Sequence, residues 1–126
     1  MFGAGVINYN KDEMSDSGKR VSFGEGNAIR EDSSEKSRPD LISPLALLRV
    51  GDWMKKGADK YEAHNWEKGM SFSAYMASMT RHMLKFQAGN KEEDHLSAVI
   101  FNAMAMIHHQ ELGEDEEWDD LPKYIK

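Results

Sequence analysis

The sequence predicts an all-α protein: a small helical domain of about three main helices, with an extended or disordered N-terminal arm, assembled into a homo-oligomer. Three observations carry this expectation. Apolar residues recur at helical spacing in three windows, about 44–61, 72–88 and 94–112. Each window follows a residue able to cap free backbone N–H groups: Ser43, Ser71 and Asp94. The third window is apolar almost all round, which demands burial on every side, in a central position or at an interface between copies.

Residues 1–39 show little periodicity and are rich in Gly, Ser, Asp, Glu and Lys. Such a segment buries too little apolar surface to offset its ordering entropy, so it reads as an arm, with an exception around Ala28–Arg30. The helical domain then spans 40–112. Ser43-Pro44 is a start signal, because Pro at the first helical position loses no hydrogen bond. On this first helix Leu47, Val50, Trp53, Met54 and Tyr61 share a face, opposite Arg49, Asp52, Lys55, Lys56, Asp59 and Lys60. Gly51 and Gly57 each weaken it by about 1 kcal/mol relative to Ala. That cost points to tertiary packing or to a close backbone approach.

Residues 62–71 break the pattern and read as a loop. The second helix carries a stripe of Phe72, Tyr75, Met76, Met79, Met83 and Phe86, and Gly89-Asn90 stops it. The third carries Leu96, Val99, Ile100, Phe101, Met104, Met106 and Ile107. Residues 113–126 form an acidic tail whose Trp118, Leu121, Tyr124 and Ile125 are able to dock on the core.

The size of 126 residues fits one helical domain, and the absence of cysteine excludes disulfides, thiolate metal sites and cysteine nucleophiles. The formal charge of −6 argues against general nucleic-acid binding. Much of that charge sits in the last fourteen residues, which hold six acidic and two basic side chains, so a compact anionic ligand remains compatible with the body. No apolar run approaches a membrane span and the N-terminus lacks the features of a secretory signal, so no membrane partner and a cytoplasmic location are expected.

Several residues are candidates for chemistry. His95, Asn102 and His109 recur every seven positions and make one narrow polar line on the third helix. An interhelical hydrogen-bond network and the wall of a site both fit that line. His82 borders the apolar stripe of the second helix, while Arg81 and Lys85 offer two cations to a phosphate or simply face water. Glu92, Glu93 and Asp94 precede the third helix, where carboxylates serve as caps or hold Mg²⁺. The loop from Lys60 to Gly69 combines Tyr61 and Trp66 for stacking, Asn65 for a base edge and Lys60 for a phosphate; a connection plugged by Trp66 is the other reading. No glycine-rich phosphate loop, nucleophile elbow or HExxH pair is present.

Taken in order, these strings resemble a known family. Ala28-Ile29-Arg30-Glu31 precedes Lys36-x-Arg38-x-Asp40-Leu41-Ile42-Ser43-Pro44. Gly57-Ala58-x-Lys60-Tyr61, Asn65-Trp66-x-Lys68-Gly69, Arg81-His82, Glu93-Asp94-His95-Leu96 and Asn102 follow. Over about residues 26–111 they look like the bacteriophage dATP/dGTP diphosphohydrolase family, N-terminal domain type. The resemblance implies cleavage of dGTP or dATP to the monophosphate and pyrophosphate, with kinship to the all-α MazG-like pyrophosphohydrolases. The positions carried over are Arg30, Lys36, Arg38, Lys60, Tyr61, Asn65, Trp66, Arg81, His82, Asp94, His95 and Asn102.

The expected roles are His82 or His95 as base, Glu93 and Asp94 on Mg²⁺ or Mn²⁺, and Lys85 joining the cations on the phosphates. Two departures bear on catalysis: Asn90 stands where relatives often have Glu, and the paired ExxE and ExxD carboxylates of the MazG-like enzymes are missing. The alternatives are a non-catalytic protein that sequesters a nucleotide, for example a host-defence signal, and a structural helical oligomer. A phage origin would place the protein in the host cytoplasm.

Overall fold

A computed structural model describes residues 18–126. The first seventeen residues of the expected arm lie outside them. The described chain forms two compact units, residues 18–42 and 43–126.

In the first unit, β1 (Arg20–Ser22) pairs antiparallel with β2 (Ile29–Glu31), with Val21 opposite Arg30. Asn27 N–H donates to the Gly24 carbonyl in the connecting turn, and the Asn27 side-chain amide donates to the Phe23 carbonyl. The exception anticipated around Ala28–Arg30 is thus a strand, and its partner is a segment that carried no sequence signal. A 3-10 turn at Pro39–Leu41 follows, at the boundary where order was expected to begin.

The second unit holds three main helices, α1 (Pro44–Lys60), α2 (Phe72–Gln87) and α3 (His95–Glu111), and a short α4 (Asp115–Trp118). The all-α expectation holds for this body. Helix α3 packs against both α1 and α2. Helices α2 and α3 run antiparallel, since Tyr75 meets His109 at one end and His82 meets His95 at the other.

Local signals explain two of the helix starts. Ser43 Oγ accepts from Ala46 N–H at 3.2 Å, with Pro44 at the first position. Asp94 accepts from Ser97 N–H and from Ser97 Oγ. The third start differs from expectation. Ser71 makes no side-chain cap on α2. Asp120, from the acidic tail, accepts from Ser73 N–H at 2.8 Å and Ser73 Oγ at 2.6 Å. The tail therefore closes the N-terminus of α2, where a carboxylate is favoured by the free N–H groups and the dipole.

The tail docks in a second place. The core is Phe72, Tyr75 and Ala105, flanked by Trp66, Phe101, Met106, Trp118 and Leu121. Trp118 lies on Gly69, where an added Cβ would come within 2.3 Å of the indole. Gly69 also has φ +98°, so this position excludes other residues twice over. Tyr124 and Ile125, by contrast, stay exposed.

The stripe on α2 is buried at its start and exposed at Met83 and Phe86. Helix α3 is more unusual. Its buried residues are His95, Ser97, Ala98, Asn102, Ala105 and His109, while Leu96, Ile100 and Ile107 face out. The polar line expected from the sequence is the inward face. Most of its groups find partners: His95 meets His82, Asn102 donates to the Ala98 carbonyl of its own helix at 2.8 Å and to Ser78 of α2, and His109 Nδ1 meets Glu114, while His109 Nε2 is buried without a partner. Small Ala98 and Ala105 between them let α2 approach closely. Among the described residues no helix is long and apolar enough to cross a membrane.

Candidate functional site

The helical unit contains a cleft of about 910 Å³ bounded by the C-terminal half of α1, the loop after it, and facing parts of α2 and α3. Its position follows from the break at Glu62–Ser71, which separates α1 from α2 and leaves a concavity between them. From the loop and the end of α1 come Lys60, Tyr61, Asn65 and Trp66. Helix α2 adds Arg81, His82 and Lys85, and Glu93 and Asn102 come from the α3 side. Side chains spread over 42 positions of sequence thus line one space, as expected for a site.

The cleft is basic in an acidic chain. Lys55, Lys56, Lys60, Arg81 and Lys85 line it against three carboxylates, Glu62, Glu67 and Glu93. Glu62 is paired with Lys68, and Glu67 with His64 at 3.1 Å. Lys55 is held by Asp59. Lys56, absent from the expected site, lines the cleft because part of the charged α1 face forms one of its walls. His64 also lines the cleft, in the left-handed region at φ 62°. That conformation is uncommon outside Gly, Asn and Asp, and it turns the chain into the Asn65–Lys68 3-10 turn.

Tyr61 and Trp66 have different environments. Trp66 packs against Phe101, His108 and His109, so it plugs the loop onto the core as well as lining the cleft. Tyr61 is 66% exposed with Lys60 Nζ 5.3 Å from its ring centroid. It is the aromatic surface most open to a ligand. Trp53, half-buried on α1, meets the His82 ring edge-on at 5.7 Å.

Gly51 and Gly57 also line the cleft, and nothing lies within 4 Å of a Cβ built on either. Packing against the protein therefore does not account for them.

The corner formed by His82, Glu93 and His95 is the densest group of ligating atoms: one atom from each lies within 4.8 Å of the others. His82 Nδ1 and His95 Nδ1 are 2.9 Å apart, and His95 Nε2 is 2.6 Å from Asn90 Oδ1. Asn90 Oδ1 also accepts from Glu92 N–H, which fixes it as the oxygen. His95 Nε2 must then carry the proton, its Nδ1 must accept, and His82 Nδ1–H must donate to it. Burial pushes the His82 pKa down, with the Glu93 carboxylate opposing and neighbouring His95 and the Lys85 and Arg81 cations reinforcing that shift. A neutral His82 with Nε2 free is the result.

Asp94 stands apart from this corner. Arg49 grips both its oxygens, at 2.8 and 2.6 Å, while Ser97 bonds the same two atoms. The Arg49 hydrogen bond, aided by Ser97, holds the Asp94 carboxyl well below the usual carboxylate range. Its oxygens are occupied in joining α1 to the start of α3, whereas Glu93, the other carboxylate expected on a metal, stands in the corner. Asn90, noted only as a missing carboxylate, orients His95. Arg30, Lys36 and Arg38 belong to the other unit: Arg30 sits on β2, Lys36 pairs with Glu31, and Arg38 with Asp40.

A divalent cation fits the corner in two ways. Mg²⁺ wants oxygen ligands, of which Glu93 supplies one, and would take the rest from a triphosphate and water. Mn²⁺ also accepts imidazole.

The sequence profile of the dATP/dGTP diphosphohydrolase N-terminal domain matches residues 26–120. The chain belongs to that family. The match spans the cleft, the corner, the docked α4 and Asp120, so the tail that closes α2 is part of the family domain. No curated protein and no solved structure matches the chain.

Proposed function

We propose that the cleft binds a purine deoxynucleoside triphosphate, dGTP or dATP, and hydrolyses it to the monophosphate and pyrophosphate. The observation that carries this reading is the gathering of Lys56, Lys60, Arg81 and Lys85 around one concavity that His82 and Glu93 also line, with His95 buried behind them. Phosphoryl transfer needs positioning and charge stabilisation more than covalent help, and these cations supply both to a polyphosphate. Arg81 offers a planar fork to two phosphate oxygens, and the lysines act as mobile point charges. Tyr61 provides a surface for the purine, and Asn65 a donor and acceptor for its edge. A bound Mg²⁺ or Mn²⁺ would polarise the scissile phosphate and lower the pKa of an attacking water. In this reading His82 Nε2 would accept the proton of that water.

The exposed Leu96, Ile100 and Ile107 on α3, together with Leu45 and Leu48 on α1, point to a homo-oligomer. A phage origin and a host-cytoplasmic location accord with the family resemblance.

The test is pyrophosphate release from each of the four common deoxynucleoside triphosphates with Mg²⁺ or Mn²⁺. Release from dGTP and dATP ahead of the pyrimidines is expected; no release from any would sink the hydrolase reading. One observation favours a second reading, nucleotide binding without turnover. With Glu62 and Glu67 in ion pairs, Glu93 is the cleft carboxylate with no ion pair among the described residues, and no carboxylate pair stands beside it. A thermal shift with dGTP, followed by recovery of the nucleotide intact, would select that reading.

A further inference from the structure

We infer that His82, Glu93 and His95 form a resident transition-metal site, occupied without nucleotide and selective for imidazole-accepting ions such as Mn²⁺, Co²⁺ or Zn²⁺ over Mg²⁺. This goes beyond hydrolysis, because it concerns a metal that the chain holds by itself. It also changes the part His82 plays, from proton acceptor to ligand.

The geometry supplies the argument. Two ligands about 2.1 Å from one ion stand about 3.0 Å apart at the right angles of an octahedral site and about 3.4 Å apart in a tetrahedral one. His82 Nδ1 and His95 Nδ1 are 2.9 Å apart. Glu93 is exposed, with its ligating atom already within 4.8 Å of the others, so a side-chain rotation would bring its carboxylate to the same point. His95 is almost fully buried, and its far nitrogen donates to Asn90 Oδ1 at 2.6 Å. That is the arrangement by which an outer carbonyl fixes the tautomer of a metal-bound histidine and aims its lone pair. Trp53 holds the His82 ring edge-on, and Arg49 with Ser97 pins Asp94, the residue between the other ligands. The two imidazoles are therefore held close by packing, and the ion replaces the hydrogen bond between them.

Binding breaks the His82–His95 hydrogen bond. The proton leaves His82 Nδ1 and another is taken up at Nε2, so the imidazole stays neutral and no net proton is released. Two imidazoles and one carboxylate are a borderline donor set, which suits first-row transition ions, whereas Mg²⁺ prefers oxygen and dehydrates reluctantly.

Calorimetric titration of the nucleotide-free full chain with MgCl₂, MnCl₂, CoCl₂ and ZnCl₂ tests this, with the visible absorption of bound Co²⁺ as a second readout. One ion per chain is expected, with Co²⁺ and Zn²⁺ at least tenfold tighter than Mg²⁺. Glu93→Gln and His82→Gln, both checked for folding by circular dichroism, should weaken Co²⁺ binding at least tenfold. Asn90→Ala should weaken it about tenfold or more, and His64→Gln should leave it unchanged. Equal affinity for Mg²⁺, or parental Co²⁺ binding in folded Glu93→Gln and His82→Gln, overturns the site. Pyrophosphate release from dGTP, measured alongside, separates the two readings. Turnover without transition-metal binding removes the metal site alone, and metal binding without turnover removes the hydrolase alone.

Discussion

Asp94 ties α1 to the start of α3 and borders two of the corner residues, so replacing it tests the architecture of the site directly. Asp94→Ala removes the cap on Ser97 N–H, the bond from Ser97 Oγ and the fork from Arg49. Loss of an N-cap costs about 0.5–2 kcal/mol. The Arg49 pair adds a smaller amount, because Arg49 is more than half exposed and solvent screens it. A total of about 1.5 kcal/mol lowers Tm by roughly 6–12 °C for a domain of this size.

Asp94→Asn separates the contributions. Asn caps as well as Asp, so this variant should keep the bond from Ser97 N–H and lose the Arg49 charge pair with the bonds to the second oxygen. The pH dependence follows from the depressed folded pKa of Asp94. Because the unfolded chain takes up the proton first, the charge contribution is fully present above the ordinary carboxylate pKa and is lost as pH falls through the folded value. The parent should therefore exceed Asp94→Asn most near neutrality, and the gap should close on acidification. Thermal melts by circular dichroism from pH 2 to 7 measure both effects, with the gap narrowing only below about pH 4. If Asp94→Ala melts within about 1 °C of the parent, or if the gap widens in acid, the clamp does not hold the helices as argued. Nucleotide-free Co²⁺ binding by Asp94→Asn should stay within about twofold of the parent, where loss of a direct ligand would remove it.

Other perturbations probe the tail, the cleft and the outer face of α3. Gly69→Ala drives a methyl into Trp118 at a positive φ and should destabilise the fold by about 2–3 kcal/mol in urea unfolding; a smaller loss would mean that the tail is not seated there. Gly57→Ala lies in a helix with open space around the new methyl and should stabilise by about 0.5–1 kcal/mol. The same variant should bind dGTP more weakly in a fluorescence titration, since the methyl enters the cleft; unchanged affinity would remove the ligand's claim on that glycine. Ile107, 56% exposed, gains a charge in Ile107→Glu, which should leave the helix content intact and shift light scattering to a monomer; a parent that is itself monomeric refutes the oligomer.

Much of the fold was legible because its signals are local. Ser43-Pro44 and Asp94 cap helices through groups three residues on, and Gly89, at φ 90°, ends α2 where a stop was expected. Ser71 misled because its own helix start is served by Asp120, 47 residues away. The α3 pattern left two places open, a central position or an interface between copies. Within the chain the close packing of α2 on α3 takes Ala98 and Ala105, and Leu96, Ile100 and Ile107 face out. The candidate site was legible as residues and not as a group. Lys60, Tyr61, Arg81, His82 and Glu93 were each singled out, but only the turn between α2 and α3 brings His82 to His95.

By itself the sequence determined the helical class, most helix boundaries, the lack of thiol chemistry and a set of basic, aromatic and imidazole side chains suited to a nucleotide. These depend on periodicity, capping and residue chemistry, which act over a few residues. The tertiary structure decided which of those side chains meet. It assigned Asp94 to Arg49, set Glu93 beside two imidazoles, made Asn90 the partner of His95, and used the acidic tail to close α2. Those pairings depend on how helices pack and on which buried polar groups must be satisfied, and no local pattern encodes them.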